Sequence, residues 1–131
     1  MARGPCRGNC PIYDVRISTN GWVSYRGDEY VLVRGYRSAM LSPTSLEALR
    51  RALERSKILA MDAACCNCDG PSHEETVSLA INQGVSIKEI EHYYGCESAP
   101  NAVTVFEAEI DSIVGVERWI GSPEARRKKR W

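Results

Sequence analysis

Tyr13, Val15 and Ile17 alternate with Asp14 and Arg16, and Asn20-Gly21 follows a few residues later. A period of two marks a strand with one face buried and one face wet. Asn-Gly is a strong signal for a tight hairpin turn, because such turns need positive φ. Trp22 to Arg26 then reads as the return strand, with Val23 and Tyr25 on one side. Gly27-Asp28 makes the next turn, and Glu29 to Arg34 is predicted as a third strand. The start of the chain is thereby committed to an antiparallel meander.

The period changes after Ser42-Pro43. Serine caps a helix with its side-chain oxygen, and proline suits the first helical position, where its missing N–H would be unpaired anyway. Leu46, Leu49 and Leu53 recur at helical spacing, and Ile58 to Met61 carries the apolar run onward. A cysteine-rich loop spans roughly 62–72. Val77, Leu79 and Ile81 mark a fourth strand, Asn82-Gln83-Gly84 a turn, and Val85 to Tyr94 a fifth strand. Ile87 and Ile90 break the alternation of that strand, which predicts a bulge near Lys88-Glu89. Ala99-Pro100 opens a second helix whose stripe is Val103, Phe106, Ile110, Ile113 and Val114. Trp119 and Ile120 close the core. The order βββ-α-ββ-α predicts an α+β fold: a mainly antiparallel five-stranded sheet with two helices packed on one face.

The 131 residues suffice for one domain with a real core, and we place it at residues 3–121. Apolar residues make up 44% and charged residues 26%, as in ordinary globular chains. No apolar run approaches the roughly 20 residues that cross a bilayer. Net charge is zero but uneven, since Arg126-Arg127-Lys128-Lys129-Arg130 supplies five of the 17 cations. Residues 1–125 keep 12 basic against 17 acidic side chains, a net of −5. An acidic body argues against nucleic acid as a partner, because phosphate neutralisation supplies most of such affinity. The stretch 122–131 reads as a basic, disordered tail.

A family resemblance rests on Gly4-Pro5-Cys6-Arg7-Gly8-Asn9-Cys10-Pro11-Ile12-Tyr13, then on Asn20-Gly21, Asp69-Gly70-Pro71, His92-Tyr93-Tyr94-Gly95, Ala99-Pro100 and Arg118-Trp119-Ile120-Gly121. Over about residues 3–121 the chain resembles a bacterial family of domains of unknown function that opens Cys-Phe-Gly-x-Cys-Pro-x-Tyr. Arg7 stands where that family usually has phenylalanine. Members often follow a secretion or lipoprotein signal. The resemblance therefore implies an extracytoplasmic setting, periplasmic or secreted, with the leader removed from this chain; a cytoplasmic setting is the other reading. It implies no activity.

Six cysteines are an even set, as a disulfide framework needs. In the first reading the candidates are Cys6, Cys10, Cys66, Cys68 and Cys96. Cys6 and Cys10 can close their own loop. Cys96, just past the fifth strand, reaches Cys66 or Cys68 if strands four and five form a hairpin. Cys65 bonding its neighbour Cys66 is not expected, because disulfide geometry wants the Cα atoms well apart. In the second reading Cys66, Cys68, His92 and Cys96, with His73 nearby, hold zinc. In the third, a thiol does redox chemistry, which usually needs a cysteine at a helix start or beside a cation. Neither predicted helix start carries one.

Other catalytic signatures are missing. His73-Glu74-Glu75-Thr76-Val77 lacks the second histidine of a zinc-protease helix, and there is no Gly-x-Ser-x-Gly elbow or glycine-rich phosphate loop. Asp69 before Gly70-Pro71 reads first as turn chemistry. Asp69, His92 and Tyr93 together form a candidate binding surface beside the cysteine loops. The expectation is a small non-catalytic binding or structural domain, cross-linked by disulfides, with no cofactor and an unknown protein or small ligand as partner. The alternative is a zinc-binding domain.

Overall fold

The computed structural model describes residues 1–68 and 73–131. It is an α+β fold built on one antiparallel sheet. Strands β1 (Ala2–Arg3), β2 (Tyr13–Ile17), β3 (Trp22–Gly27) and β4 (Gly35–Met40) precede helix α1 (Pro43–Ser56) and a short 3-10 turn at Ile58–Ala60. Strands β5 (Thr76–Asn82) and β6 (Ile87–Tyr93) follow, then α2 (Asn101–Val114), α3 (Glu117–Ile120) and α4 (Pro123–Lys128). The strand order is β4-β3-β2-β1-β5-β6.

The β2–β3 hairpin forms where the alternation placed it. Gly21 takes φ +94°, and its N–H donates to the Ser18 carbonyl. Val15, Val23 and Tyr25 point inward and are almost wholly buried, while Arg16 and Arg26 face water. Val77, Leu79 and Ile90 continue the inward face across β5 and β6, and Val103, Phe106, Ile110 and Val114 of α2 pack onto it. Ser42 caps α1 by accepting from the Ser45 N–H, with Pro43 in the first turn.

The sheet has six strands rather than five. β1 is two residues long, so it carries no period that a sequence can display. It nevertheless lies in the middle, pairing Arg3 with Tyr13 on one side and with Val77 on the other. Without it the meander and the β5–β6 hairpin would be separate sheets.

The third strand is also displaced, from Glu29–Arg34 to Gly35–Met40. The earlier segment spends its apolar residues elsewhere. Tyr30 turns through positive φ, Val31 is buried, and the N–H groups of Leu32 and Val33 donate to the carbonyls of Ile120 and Trp119. That segment docks the C-terminal helices. The β5–β6 pairing runs unbroken from Asn82↔Ile87 to Thr76↔Tyr93, so no bulge interrupts it at Lys88-Glu89. Ile87 simply points to the open face, 58% exposed.

The segment predicted as a disordered tail is partly helical. Ser122 accepts from the Ala125 N–H and Pro123 sits in the first turn of α4, the same signal that starts α1. Trp131 meets the Tyr30 ring edge-on at 5.5 Å.

Candidate functional site

The cysteine-bearing loops gather at one end of the β5–β6 hairpin. Cys6 and Cys10 are bridged with Cα atoms 5.8 Å apart. Their loop is laced to the approach to β5, since the Arg7 N–H donates to His73 O at 2.9 Å and the Gly4 N–H to Thr76 O at 3.0 Å. Cys68 is bridged to Cys96. The hairpin requires this proximity: Thr76 lies opposite Tyr93, so the chain entering β5 passes the chain leaving β6.

Cys65 and Cys66 are bonded to each other, with Cα atoms 3.8 Å apart. This corrects the expectation that neighbours would not pair. With Cys68 on Cys96 and Cys6 on Cys10, each of these two thiols has only the other left. Cys66 is fully buried, and its carbonyl accepts the Tyr93 N–H at 2.9 Å on the free edge of β6.

Cys66, Cys68, His92 and Cys96 do not assemble as a ligand set. Their sulfurs sit in two different disulfides, and His92 Nδ1 faces a carboxylate. Among the described residues, no three His, Cys, Asp or Glu side chains form a group able to hold a metal. His92 and Tyr93, expected on a binding surface, are interior, 3% and 8% exposed. His92 belongs to the core face of β6, and the Cys65-Cys66 segment lies along that strand's free edge. Asp69 lies outside the described residues.

Instead, a charged network lies beneath the sheet. Glu107, wholly buried in the apolar stripe of α2, faces His92 Nδ1 at 2.8 and 3.0 Å and accepts the Tyr94 hydroxyl at 2.8 Å. A carboxylate can only accept, so His92 carries its proton on Nδ1 when Glu107 is ionised. Arg3 Nη1 donates to Tyr94 at 3.2 Å and to Glu75 at 3.4 Å. Its Nη2 and Nε reach Asp111 Oδ2 at 2.7 and 3.0 Å, and Tyr13 donates to Asp111 Oδ1 at 2.7 Å. One guanidinium thus stands among three carboxylates.

Burial disfavours charge, and the titration of the network follows. Desolvation pushes the Glu107 and Glu75 carboxyls above the usual carboxylate range, with the Tyr94 hydroxyl chiefly pulling Glu107 back and Arg3 pulling Glu75 back. Burial pushes the Tyr94 phenol up to about 12 and Tyr13 higher still. Burial is the largest influence on Arg3 and opposes its charge, but Asp111, Tyr13 and Tyr94 together outweigh it and strengthen its hold on the proton. The arrangement holds surplus negative charge away from water and retains protons.

Sequence reading missed these residues because they are scattered from position 3 to position 111. One signal was present. Glu107 falls between Phe106 and Ile110 on the α2 stripe, and an acid inside an apolar stripe announces a buried partner.

The family model for domain of unknown function DUF6438 matches residues 1–114. The chain belongs to this family. The match takes in the whole sheet, all three disulfides and every member of the network. No curated protein and no solved structure matches the chain.

Proposed function

We propose that this DUF6438 domain is a non-catalytic, disulfide-braced binding or structural module of an extracytoplasmic protein. The observation that carries the reading is that all six cysteines are paired among themselves. Such pairing persists in oxidising compartments and is rare where thiols are kept reduced. The groups best suited to acid–base chemistry, His92 and Glu107, are buried and turned toward each other, which favours a structural role over a substrate. A partner protein or small ligand would meet the exposed residues of the locked loops, Arg7, Gly8, Asn9, Asp62, Ala63 and Asn67.

Intact mass under denaturing conditions, before and after reduction, tests the reading. The expected result is a gain of two hydrogens for each of the three bridges. Six free thiols with zinc bound to the native protein would replace it with the metal-binding reading. One thiol alkylating far faster than the others would point to redox chemistry.

A further inference from the structure

The three bridges do not contribute alike. Cys6–Cys10 and Cys68–Cys96 each hold their Cα atoms 5.8 Å apart, inside the span of about 4.4–6.8 Å that a disulfide ordinarily bridges. Cys65–Cys66 has its Cα atoms at 3.8 Å, because the two residues are neighbours in the chain. A bond held outside the ordinary span is more readily reduced. It also closes almost no loop, so it withdraws the least freedom from the unfolded chain. Bracing accounts for the other two bridges and not for this one.

The surroundings present one end of the bond and hide the other. The turn before it is pinned by Asp62, whose Oδ1 accepts the Ala64 N–H at 2.9 Å and whose carbonyl accepts the Cys65 N–H at 3.0 Å. Asp62, Ala63 and Ala64 are exposed and short, and Cys65 behind them is half-buried. Cys66 is wholly buried in the hydrophobic core. Its carbonyl accepts the Tyr93 N–H, at the last residue of β6. The small ring closed by the bond runs through the peptide between the two cysteines, and so fixes the backbone leading to that carbonyl.

Given the disulfide pairing on which the proposed function rests, we propose that Cys65–Cys66 is a thiol–disulfide exchange site for an external dithiol, and that its opening frees the end of β6. One thiol of the reductant attacks the reachable Sγ of Cys65. A mixed disulfide forms, the Cys65–Cys66 bond breaks, and Cys66 takes up the proton. The reductant's second thiol then attacks its own bonded sulfur, which closes a disulfide within the reductant and releases Cys65 as a thiol. Two electrons and two protons pass to the chain. Burial keeps the Cys66 thiol protonated and makes it a poor attacker of Cys68–Cys96, so exchange stays at one bridge. With the ring open, the Cys66 carbonyl loses its fixed aim and the Tyr93 amide its partner. The Ile90 and His92 amides, which the register turns toward β5, keep theirs.

Titration of the native full chain with dithiothreitol, followed by alkylation and peptide mass mapping, tests this. Cys65 and Cys66 should become alkylated together, at about tenfold less reductant than any other cysteine. In that two-thiol form hydrogen exchange at Tyr93 should quicken about tenfold or more, with Ile90 and His92 unchanged. The double variant Cys65→Ala, Cys66→Ala should show the fast Tyr93 exchange with or without dithiothreitol; the native titration decides alone should that variant fold poorly. Opening of Cys6–Cys10 or Cys68–Cys96 before Cys65–Cys66, or alongside it, overturns the proposal, as does a Tyr93 exchange rate that ignores the reduction. Six free thiols before any reductant is added would overturn the disulfide pairing itself and this site with it.

Discussion

Removal of the Cys68–Cys96 bridge should be the most damaging loss among the disulfides. The bridge spans a sequence separation of 28 residues and ties the entry of β5 to the exit of β6. Cross-linking a loop of that length withdraws about 3.6 kcal/mol of conformational freedom from the unfolded chain. For Cys6–Cys10, with a separation of 4, the same relation gives about 1.9 kcal/mol. The perturbation is the double variant Cys68→Ser, Cys96→Ser, because a single change would leave one thiol free to attack the Cys65–Cys66 bond. Urea unfolding should show a loss of about 3–4 kcal/mol, and the melting temperature should fall by about 10–14 °C. The urea slope should rise as well, since the released unfolded chain exposes more surface. The corresponding Cys6, Cys10 double variant should lose about half as much. Equal losses from the two variants, or a loss below about 1 kcal/mol at Cys68–Cys96, would refute loop closure as the origin of the stability.

Arg3→Met should cost about 3 kcal/mol or more in urea unfolding, because it strands Asp111 and Glu75 in a site where their side chains are 22% and 18% exposed; a loss under about 1 kcal/mol would show that the carboxylates find other partners. Glu107 holds its proton more tightly when folded, so its ionisation should erode stability as pH rises from the ordinary carboxylate range through the raised value. Glu107→Gln removes that slope, and unfolding free energies measured from about pH 4 to about pH 8 should show the variant gaining on the native protein as pH rises; parallel curves would contradict the assignment. Gly27→Ala places a methyl group against the Val33 carbonyl and the Tyr25 hydroxyl, which are hydrogen-bonded to each other at 2.8 Å. It should cost about 2 kcal/mol, whereas a melting curve unchanged from the native protein would mean that the β3–β4 connection yields.

The parts of this fold that could be read in advance are those whose cause is local. The β2–β3 hairpin follows from alternation and Asn20-Gly21, α1 from Ser42-Pro43 and the leucine spacing, and the nearness of Cys96 to the cysteine loop from a hairpin closed at Asn82-Gln83-Gly84. The misplaced strand has a physical reason. Tyr30 to Arg34 is as apolar and β-prone as Gly35 to Met40, and only the docking of Trp119 and Ile120 against Leu32 and Val33 decides which segment enters the sheet. Ser122-Pro123 was legible by the rule applied at Ser42-Pro43, but the run of cations after it drew the reading toward disorder. Apart from Glu107 within the apolar stripe of α2, the charged network has no local signature, because Arg3 and Asp111 meet across 108 positions.

Those distant contacts and the shortest strand belong together. A two-residue strand supplies few ladder hydrogen bonds, yet among the described residues β1 is the only strand that joins the meander to the β5–β6 hairpin. Around it the chain adds ties that do not depend on strand length. The Met1 amine donates to Val15 O on one side, Gly4 and Arg7 donate to Thr76 O and His73 O on the other, and the Cys6–Cys10 bridge fixes the exit. From β1 itself, Arg3 reaches Tyr13 of β2, Glu75 just before β5, Tyr94 just after β6 and Asp111 of α2. A hydrophobic residue at position 3 would bury as much surface but would grip none of these four elements directionally. A charge held in the core at the narrowest point of the sheet is therefore intelligible as the fastening of its two halves, and the surplus carboxylates as the acceptors that fastening needs.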